Sequence, residues 1–496
     1  MATPKLSPVS PVRRDGNDEP CAPSSPSSSP VSPVQRDGND KPCAPSSPSS
    51  SPSTVLSAQD AYEQHLRLPE LSSLWTAGCF PEWAGEGLVK PALQALEVTF
   101  RLASLALSDP RGHAGRRELA RRLESLAARE VELVSALCEG DGRGAPLAEL
   151  SASGGVLPRE RSASEVVVWQ LPGSAAAVVC RTSEASLLPR LAAWEKSEAL
   201  AARITYAVEG QMQGCAFTLG LGEPNLAGKP VLEYDRVVRP HELHALKPEP
   251  APEPTSGYRN RELETLFTMY QILESWLCVA SQLLTRLDER IEAKSWEAAA
   301  GDCWILERVW KLLADVEDLH LLMDPDEFLR LKSQLAVRAA PGSESASFCF
   351  RSRALLHVAS ATRDLKKRVP WVLGVEADPS GGPRVQEAAM KLYHSRRRGE
   401  GEEAGKVDLL QAFQAVEVAV RGFFFGYRQL VAAVMGTAEA SGNRALFVPA
   451  EEMDPLAQMF LEPPYYPSLD AAKTFLADYW VQLQQMAEAS APSRQS

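Results

Sequence analysis

A glutamate and a histidine one helical turn apart come closest, in this sequence, to the spacing of a known kind of metal site. Glu317 and His320 stand at positions i and i+3, which share one face of a helix. Helix-bundle di-iron proteins use this pair twice and add two glutamates from facing helices. No second copy occurs here, because His241 and His244 belong to an HELH segment with a different spacing. We therefore interpret His320 as a helix-end histidine near acidic neighbours, and we predict no metal site.

A glycine-rich segment with a lysine, LGLGEPNLAGKP (219–230), has some features of a phosphate-binding loop. In a P-loop four residues separate the glycines, and the Ser or Thr after the lysine binds magnesium. Here five residues lie between Gly222 and Gly228, and Pro230 follows Lys229. The sequence therefore predicts an ordered loop that binds no nucleotide.

Aromatic residues, glycines and arginines are concentrated in VAVRGFFFGYRQLVAAVMG (418–436). On a helix, Gly422 and Gly426 would lie one turn apart, and each would cost about 1 kcal/mol relative to alanine. That cost predicts the close approach of another helix or of a ligand. The same helix would carry one apolar stripe, formed by Val420, Phe423, Phe424, Tyr427, Leu430 and Val434.

Two interpretations of this stripe stay open. Core packing is the simpler one, because apolar stripes at helical spacing face the interior of helical proteins. The alternative is a pocket for a small anionic or aromatic ligand, since Arg421 and Arg428 flank the rings and cations bind ring faces. Such a pocket would be formed by Phe423, Phe424, Tyr427 and Arg428.

The elements that would position these residues are helices, because apolar residues recur at three- and four-residue spacing after Ala58. A helix also begins at Asp324, which is followed by Pro325 and an acidic first turn. Two valine-containing runs around a Pro-Gly turn predict one strand pair near 165–180. The sequence thus predicts an all-α, multi-helix bundle with one small β element. The predicted helices are 88–107, 116–138, 187–212, 261–291, 298–323, 350–367, 385–393, 408–435 and 469–486.

Residues 1–56 form a Ser/Pro-rich tail in which a 22-residue segment occurs twice in tandem, at 7–28 and 29–50. The tail has too few apolar side chains to offset the entropy of ordering, so we predict that it is disordered. A solubilising role is the simpler interpretation. The alternative is phosphorylation by a proline-directed kinase, which would add negative charge at serines that precede proline. These candidate sites are Ser7, Ser10, Ser25, Ser29, Ser32, Ser47 and Ser51.

The Pro-rich segment KPEPAPEPTSG (247–257) predicts a stiff linker between two helical parts, residues 57–246 and 258–490. In the first part, a Gly/Ala/Ser-rich stretch at 139–163 resembles an insertion loop. Glycine and proline are also frequent from Gly214 to about Leu246, and this stretch is predicted to be ordered loop.

Charge and cysteine content limit the classes of partner. The 64 acidic residues outnumber the 52 basic ones, and a net charge of −12 argues against binding to nucleic acid or to an anionic membrane. Nine cysteines without a CxxC pair indicate reduced thiols and a cytosolic or nuclear location. No apolar run approaches the roughly 20 residues of a membrane span. We therefore expect a soluble, cytoplasmic protein.

Several long segments of the chain are distinctive: LRLPELSSLW (66–75), TLGLGEPNLAGKP (218–230), DLHLLMDPDEFLRLK (318–332), EADPSGGPRVQEAAMKLY (376–393), FFFGYRQLVAAVMG (423–436) and YYPSLDAAKTFL (465–476). They closely resemble the plant HSPRO family of nematode-resistance-protein-like proteins, and the likeness runs from about residue 57 to 485. The resemblance implies a role in basal defence of plants against nematodes and bacteria. It also implies interaction with the βγ-type subunit of the plant energy-sensing kinase complex, the counterpart of AMPK, and it supplies no catalytic residue or cofactor.

The second half also resembles the helical domain of indoleamine 2,3-dioxygenases in the order of its elements. A helix ends near MDPDEF (323–328), and a glycine turn, PSGGPRVQ (379–386), leads into further helices. Those enzymes hold haem through a histidine on the long helix, where this chain has Tyr427 and no histidine. Tyrosine ligates haem iron only in a site built for it. We therefore expect a shared fold, no dioxygenase chemistry and action through protein contacts, with a haem- or indole-binding enzyme as the alternative.

Overall fold

Helices predicted from apolar periodicity make up most of the computed structural model, and the all-α prediction is confirmed. The described residues lie in one compact unit, Val55–Ser496. The tail and its seven candidate phosphorylation sites are outside them. The structure describes residues 58–80, 83, 85–109, 116–139, 156–157, 167–170, 177–180, 182–225, 229–248, 261–328, 352–376, 383–395, 401–435 and 463–489.

The N-terminal part contains two long helices, α3 and α4, surrounded by shorter ones. A 3₁₀ turn, Met212–Gly214, follows α6. The helices are α1 (Ala58–Leu66), α2 (Leu68–Thr76), α3 (Glu86–Ser108), α4 (Arg116–Glu139), α5 (Leu187–Ala192), α6 (Glu198–Gln211), α7 (Tyr234–Val238) and α8 (Pro240–Ala245).

The C-terminal part is built on three long helices, α9, α10 and α14. Two 3₁₀ turns, Asp318–Leu322 and Leu365–Arg368, follow α10 and α11. The helices are α9 (Glu262–Glu292), α10 (Trp296–Glu317), α11 (Arg353–Asp364), α12 (Val369–Leu373), α13 (Pro383–Ser395), α14 (Glu402–Met435), α15 (Pro467–Thr474) and α16 (Leu476–Ala489).

The core is arranged around α3, α9 and α10. Helix α3 packs on α9, α9 packs on α10, and α10 packs along α14. Because α3 precedes the predicted linker and α9 follows it, the two parts share one hydrophobic core. Residues 249–257 of the linker lie outside the described residues. The largest fully buried side chains are Trp276 on α9 and Trp310 on α10, and each contributes on the order of 2 to 3 kcal/mol by its removal from water.

The predicted strand pair is confirmed. Strands β2 (Val167–Gln170) and β3 (Ala177–Cys180) pair antiparallel, with Val167 opposite Cys180. A second pair, between β1 (Val156–Leu157) and β4 (Val231–Leu232), was not predicted. This pair joins the expected insertion loop to the end of the glycine-rich loop. It could not be predicted, because strands of two residues are too short to show a recognisable alternation of apolar and polar side chains.

Three segments differ from the predictions. The helix predicted at 187–212 is broken between α5 and α6, where the Ser197 hydroxyl donates to the Leu191 carbonyl oxygen at 2.6 Å and satisfies a helix end. The stretch predicted as loop contains α7 and α8, which meet at Arg239, a residue with φ of 56° that precedes Pro240 at the start of α8. The last predicted helix divides into α15 and α16 at Phe475.

The remaining helix predictions hold within a few residues, except that α14 begins six residues before its predicted start and α10 ends six residues before its predicted end. Asp324 caps the helix that begins after the 3₁₀ turn, because its Oδ1 accepts the N–H groups of Asp326 and Glu327, each at 3.0 Å. None of the described helices combines the length and the apolar character that a bilayer span requires.

Candidate functional site

The residues of the alternative ligand pocket on α14 are mostly packed aromatic side chains. Phe423 and Phe424 are buried, and their ring centroids lie 5.5 and 6.1 Å from that of Trp310. Tyr427 is stacked on Phe423 at 6.3 Å, and the predicted fourth member, Arg428, is exposed. The structure thus brings three of the four residues together in the core.

The close approach predicted at Gly422 and Gly426 is not seen among the described residues. A Cβ atom built on either glycine would have no described neighbour within 4 Å beyond the helix itself. Gly422 lies on the exposed side of α14, away from the buried rings of Phe423 and Phe424. Packing against described elements therefore does not account for glycine at these positions.

Glu317 and His320 are brought together in the interior at the end of α10. The His320 Nδ1 lies 2.7 Å from the main-chain oxygen of Glu317 and 3.2 Å from its Oε2. Burial raises the pKa of Glu317 to about 8 and lowers the pKa of His320 to about 4. We therefore interpret the contact as one between neutral groups, in which the Nδ1–H donates to the main-chain oxygen, although the distance alone would allow an ion pair.

Further polar residues extend this contact into what we call the acid–histidine cluster: Tyr62, Tyr270, Glu274, Glu317 and His320. The Tyr62 hydroxyl donates to Glu274 Oε1 at 2.9 Å. The Tyr270 ring lies 5.6 Å from that of Tyr62 and 5.8 Å from that of His320. Burial raises the pKa of Glu274 to about 7. In the described part of the chain, no set of three or more His, Cys, Asp or Glu side chains is arranged to hold a metal ion.

Three other histidines of the described residues, two of them from the HELH segment, lie elsewhere. His241 is exposed on α8, and His357 is exposed on α11. His244 on α8 contacts a residue that the sequence analysis did not single out, Glu97 on α3. Its Nε2 lies 2.8 Å from Glu97 Oε1.

Glu97 is fully buried and accepts four hydrogen bonds. Besides His244, the donors are the Ser186 hydroxyl at 2.7 Å, the Leu187 N–H at 2.8 Å and the Tyr234 hydroxyl at 3.0 Å. These groups belong to the start of α5, to α7 and to α8. The Glu97 cluster, as we call these five residues, therefore joins three shorter helices to α3.

Glu97 lies with three further buried polar side chains along one side of α3, and we call these four residues the α3 polar stripe: Lys90, Gln94, Glu97 and Arg101. Side chains of the stripe also donate hydrogen bonds to main-chain carbonyl oxygens of neighbouring elements. The Lys90 ammonium donates to the Ala77 carbonyl, and the Arg101 guanidinium donates to those of Leu243 and Leu246, both at 3.2 Å. The spacing of the stripe matches that of an exposed helix face, so the sequence gives no signal that it is buried.

The glycine-rich segment 219–230 is an ordered loop, as predicted, in the part that the structure describes. The Glu223 carboxylate accepts the N–H groups of Gly220 at 2.9 Å and Leu221 at 2.7 Å, and Gly222 has a φ of 104° that favours glycine. The Lys229 ammonium donates to the Met212 carbonyl oxygen at 3.1 Å. The lysine is thus bonded to the protein's own main chain, while Gly228 lies outside the described residues.

Large apolar side chains are exposed near the C-terminus. Phe475 and Val481 are each about half exposed, and Met486 is 65% exposed. We call these three residues the C-terminal apolar surface. Large apolar side chains that are exposed on a folded protein are one feature of surfaces that contact other proteins.

Comparison with known proteins identifies the family. The Hs1pro-1 N-terminus model matches residues 17–209, and the Hs1pro-1 protein C-terminus model matches residues 212–482. The chain therefore belongs to the Hs1pro-1 (HSPRO) family, as the sequence motifs indicated.

Two relatives come from Arabidopsis thaliana. The chain is 47% identical over 431 residues to nematode resistance protein-like HSPRO1, covering 87% of this chain and 92% of the relative. It is 45% identical over 423 residues to nematode resistance protein-like HSPRO2, covering 85% and 88%. No solved structure matches the chain, and the likeness to indoleamine 2,3-dioxygenases stays a prediction.

Proposed function

We propose that this chain acts in plant defence, and that it does so by binding another protein rather than by catalysis. The observation that carries the proposal is the extent of similarity to two relatives named nematode resistance protein-like, which covers 85% and 87% of the chain. Similarity that includes both family segments favours a shared role more strongly than similarity of one domain would.

The described polar clusters support a structural rather than a catalytic interpretation of the interior. The four donors of the Glu97 cluster are directed at one carboxylate. The α3 polar stripe is bonded to the main chain of neighbouring helices. A catalytic group must instead reach a substrate, and the buried polar groups of this stripe hold helices together.

The partner we propose is the βγ-type subunit of the AMPK-like energy-sensing kinase complex, bound in the cytoplasm. The C-terminal apolar surface supports this proposal, because Phe475 and Val481 expose large apolar side chains on the folded unit. Aromatic and aliphatic side chains of this kind supply much of the binding energy at protein interfaces.

The test measures binding of the full-length chain to the purified subunit by pull-down and calorimetry. We expect binding to survive removal of residues 1–55 and to weaken by roughly tenfold or more in the double variant Phe475→Ser, Val481→Ser. Tyr206→Ser is the matched control, because Tyr206 is 76% exposed on α6 and also loses a large apolar group. Circular dichroism melting verifies that each variant is folded.

Two results would contradict the proposal. The first is a folded full-length chain that does not bind the subunit. The second is a Soret band after expression with added haem that disappears in Tyr427→Phe, which would favour the dioxygenase-like alternative. As a functional readout, we expect the chain to restore nematode resistance in a plant that lacks its own family member, and the double variant to fail.

A further inference from the structure

Helix α1 covers part of the acid–histidine cluster. The Tyr62 hydroxyl of α1 donates to Glu274 Oε1 at 2.9 Å, and the Tyr62 ring lies 5.6 Å from that of Tyr270. Burial, followed by the neighbouring Glu274, Tyr270 and Glu317, raises the pKa of Tyr62 well above its ordinary value of 10. Both carboxyl groups of the cluster are therefore near the Tyr62 hydroxyl that α1 inserts into the interior.

Among the described residues, no cation bonds to either of these carboxyl groups. The Glu274 carboxyl accepts hydrogen bonds from two neutral hydroxyls, those of Tyr62 and Ser352. Neither oxygen of Glu317 has a hydrogen-bond partner in the described part of the chain, and the adjacent His320 is uncharged because burial lowers its pKa to about 4. If either carboxyl group ionises, its charge is therefore buried without a compensating charge.

The charged groups of α1 are paired with a group on α11. Asp60 and Glu63 both bind the Arg353 guanidinium, whose Nη1 lies 2.8 Å from Glu63 Oε2. His65, the remaining titratable side chain of α1 besides Tyr62, lies edge-on to a phenylalanine ring of α9. Burial and, to a smaller extent, the charge of Glu63 raise the pKa of Glu274 to about 7.

The charged groups near Glu317 lie at the end of α10 and on α4. Asp318 is exposed, and its main-chain oxygen lies 3.5 Å from the guanidinium of Arg122, which also pairs with Glu118. Burial and then Asp318 raise the pKa of Glu317 to about 8. The surroundings of Glu317, like those of Glu274, thus favour the protonated carboxyl group.

Helix α1 is short and ends at a residue with an unfavourable conformation. Of its described side chains, Tyr62 and Leu66 are buried. Arg67, between α1 and α2, has a φ of 52°, in the left-handed region that a residue with a Cβ atom adopts at a cost. Helix α2 is held separately by its buried residues Leu71 and Leu74. An isolated helix of nine residues is unstable in water, so α1 would lose its helical hydrogen bonds once it left α9.

We propose that α1 is a pH-dependent cover of the acid–histidine cluster. It stays on α9 while Glu274 and Glu317 are protonated and detaches, with Arg67 as the hinge, when they ionise. Detachment admits water to both carboxylates and uncovers the side of Tyr270 that Tyr62 contacts.

The direction of the pH effect follows from the protons that each state binds. In the closed state the two carboxyl groups have pKa values of about 7 and about 8, whereas the ordinary value in water is 4.5. The closed state therefore binds more protons than the open state, and it loses stability as the pH rises from about 4.5 toward 8. His320 acts in the opposite direction, but only below about pH 6.5.

This proposal goes beyond the binding of a protein partner and rests on different residues. The cover is α1, at the start of the folded unit, whereas the C-terminal apolar surface belongs to α16 and the residue before it. Detachment of α1 is measured without any partner, so its failure is distinguishable from failure of the proposed binding.

The experiment measures hydrogen–deuterium exchange of the full-length chain at pH 6.5 and pH 8. Exchange is expressed as protection factors, which remove the pH dependence of the intrinsic exchange rate. We expect the protection of the α1 amides at 62–66 to fall by about tenfold or more between the two pH values, because each carboxyl group contributes up to about tenfold per pH unit. The protection of α2 and α9 should change much less.

Substitution of the two acids tests whether their ionisation is responsible. In the double variant Glu274→Gln, Glu317→Gln, the protection of α1 should be nearly the same at both pH values. Each single variant should show a smaller fall than the natural chain, which keeps the test decisive if the double variant does not fold. The matched control is Glu130→Gln on α4, because burial raises the pKa of Glu130 to about 8 and its bonded partner is Trp276 rather than a residue of α1. This variant should keep the full response.

A further variant separates the attachment of α1 from its response to pH. Arg353→Gln removes the ion pairs with Asp60 and Glu63, and should lower the protection of α1 roughly threefold at both pH values, since exposed ion pairs contribute little. The ratio between pH 6.5 and pH 8 should stay that of the natural chain. Lys366→Gln, at an exposed position after α11, should change neither quantity.

Three results would overturn the proposal. One is equal protection of α1 at pH 6.5 and pH 8 in the natural chain. Another is an undiminished fall in folded variants that lack Glu274 or Glu317. The third is an equal fall in α1, α2 and α9, which would indicate unfolding of the whole chain rather than detachment of one helix.

Discussion

Glu97 in the N-terminal part and Glu317 in the C-terminal part are both buried, but their surroundings differ. Glu97 accepts four hydrogen bonds from three neighbouring segments. Neither carboxylate oxygen of Glu317 has a hydrogen-bond partner among the described residues. Burial raises the pKa of Glu317 to about 8. The same residue type thus has two roles: Glu97 links helices through hydrogen bonds, whereas Glu317 is an uncharged group whose ionisation depends on pH.

The largest effect is expected from Glu97→Gln. An amide nitrogen cannot accept hydrogen bonds, so two of the four donors lose their partner, and each buried donor left unsatisfied costs about 1 to 3 kcal/mol. We expect a loss of roughly 2 to 6 kcal/mol in the free energy of unfolding, measured in urea at pH 7. A change below about 1 kcal/mol would show that the Glu97 cluster does not hold α5, α7 and α8 on α3.

Glu317→Gln is the matched substitution in the other region, and its effect should depend on pH. The folded-state pKa of about 8 lies above the ordinary value of 4.5, so stability is full below about pH 4.5 and is lost as the pH rises toward 8. The glutamine variant cannot ionise. At pH 8 it should therefore exceed the natural chain by roughly 1 to 4 kcal/mol in the free energy of unfolding.

The control for this prediction is the same pair of proteins at pH 5, where their stabilities should be nearly equal. The pKa of His320, lowered to about 4 by burial, adds an opposite loss as the pH falls from about 6.5 toward 4. This loss of stability occurs in both proteins, so it cancels when their free energies of unfolding are compared. An equal advantage at both pH values would mean that ionisation of Glu317 is not responsible.

Tyr62→Phe should have a smaller effect on the acid–histidine cluster. It removes the 2.9 Å hydrogen bond to Glu274, whose net contribution is about 1 kcal/mol. That bond also holds down the pKa of Glu274, so its loss should raise this pKa further and steepen the decline of stability near pH 7. Urea unfolding at pH 5 and pH 8 measures both effects, and an unchanged pH dependence would contradict them.

The smallest effect is expected outside both clusters, at Gly422 of α14. A methyl group at this position meets no described atom within 4 Å, and alanine is favoured over glycine in a helix by about 1 kcal/mol. Gly422→Ala should therefore raise the melting temperature slightly. A destabilised variant would show that something contacts this side of α14 in the full chain.

Much of the fold follows from the sequence because long helices repeat their apolar residues every three or four positions. Helices α3, α4 and α9 are predicted within a few residues for this reason, and so is the end of α14. Helices α7 and α8 are not, because five or six residues do not complete a periodic pattern and the glycines and prolines around them indicate loop. Short helices of this kind depend on tertiary contacts, such as the hydrogen bond from Tyr234 to Glu97.

The candidate sites likewise include some that could be predicted from the sequence and some that could not. The apolar stripe with Phe423, Phe424 and Tyr427 is visible in the sequence because its spacing is helical, and in the structure it is packed on α10. The burial of Glu97 and Arg101 could not be predicted from the sequence, because a polar stripe on a helix has the same spacing whether water or other helices cover it. Only the tertiary structure shows that α3 is covered on all sides from Leu88 to Ala103.

The packing of α3 against α9 has a practical consequence for producing this protein in pieces. The two family segments meet near residue 210, and a break there would leave α3 on one fragment and α9 on the other. Each fragment would present to solvent a surface that the other normally covers, and would aggregate when made alone. Coexpressed, the fragments would be able to reassemble through that surface, which makes this position suited to a split-protein reporter of folding in living cells.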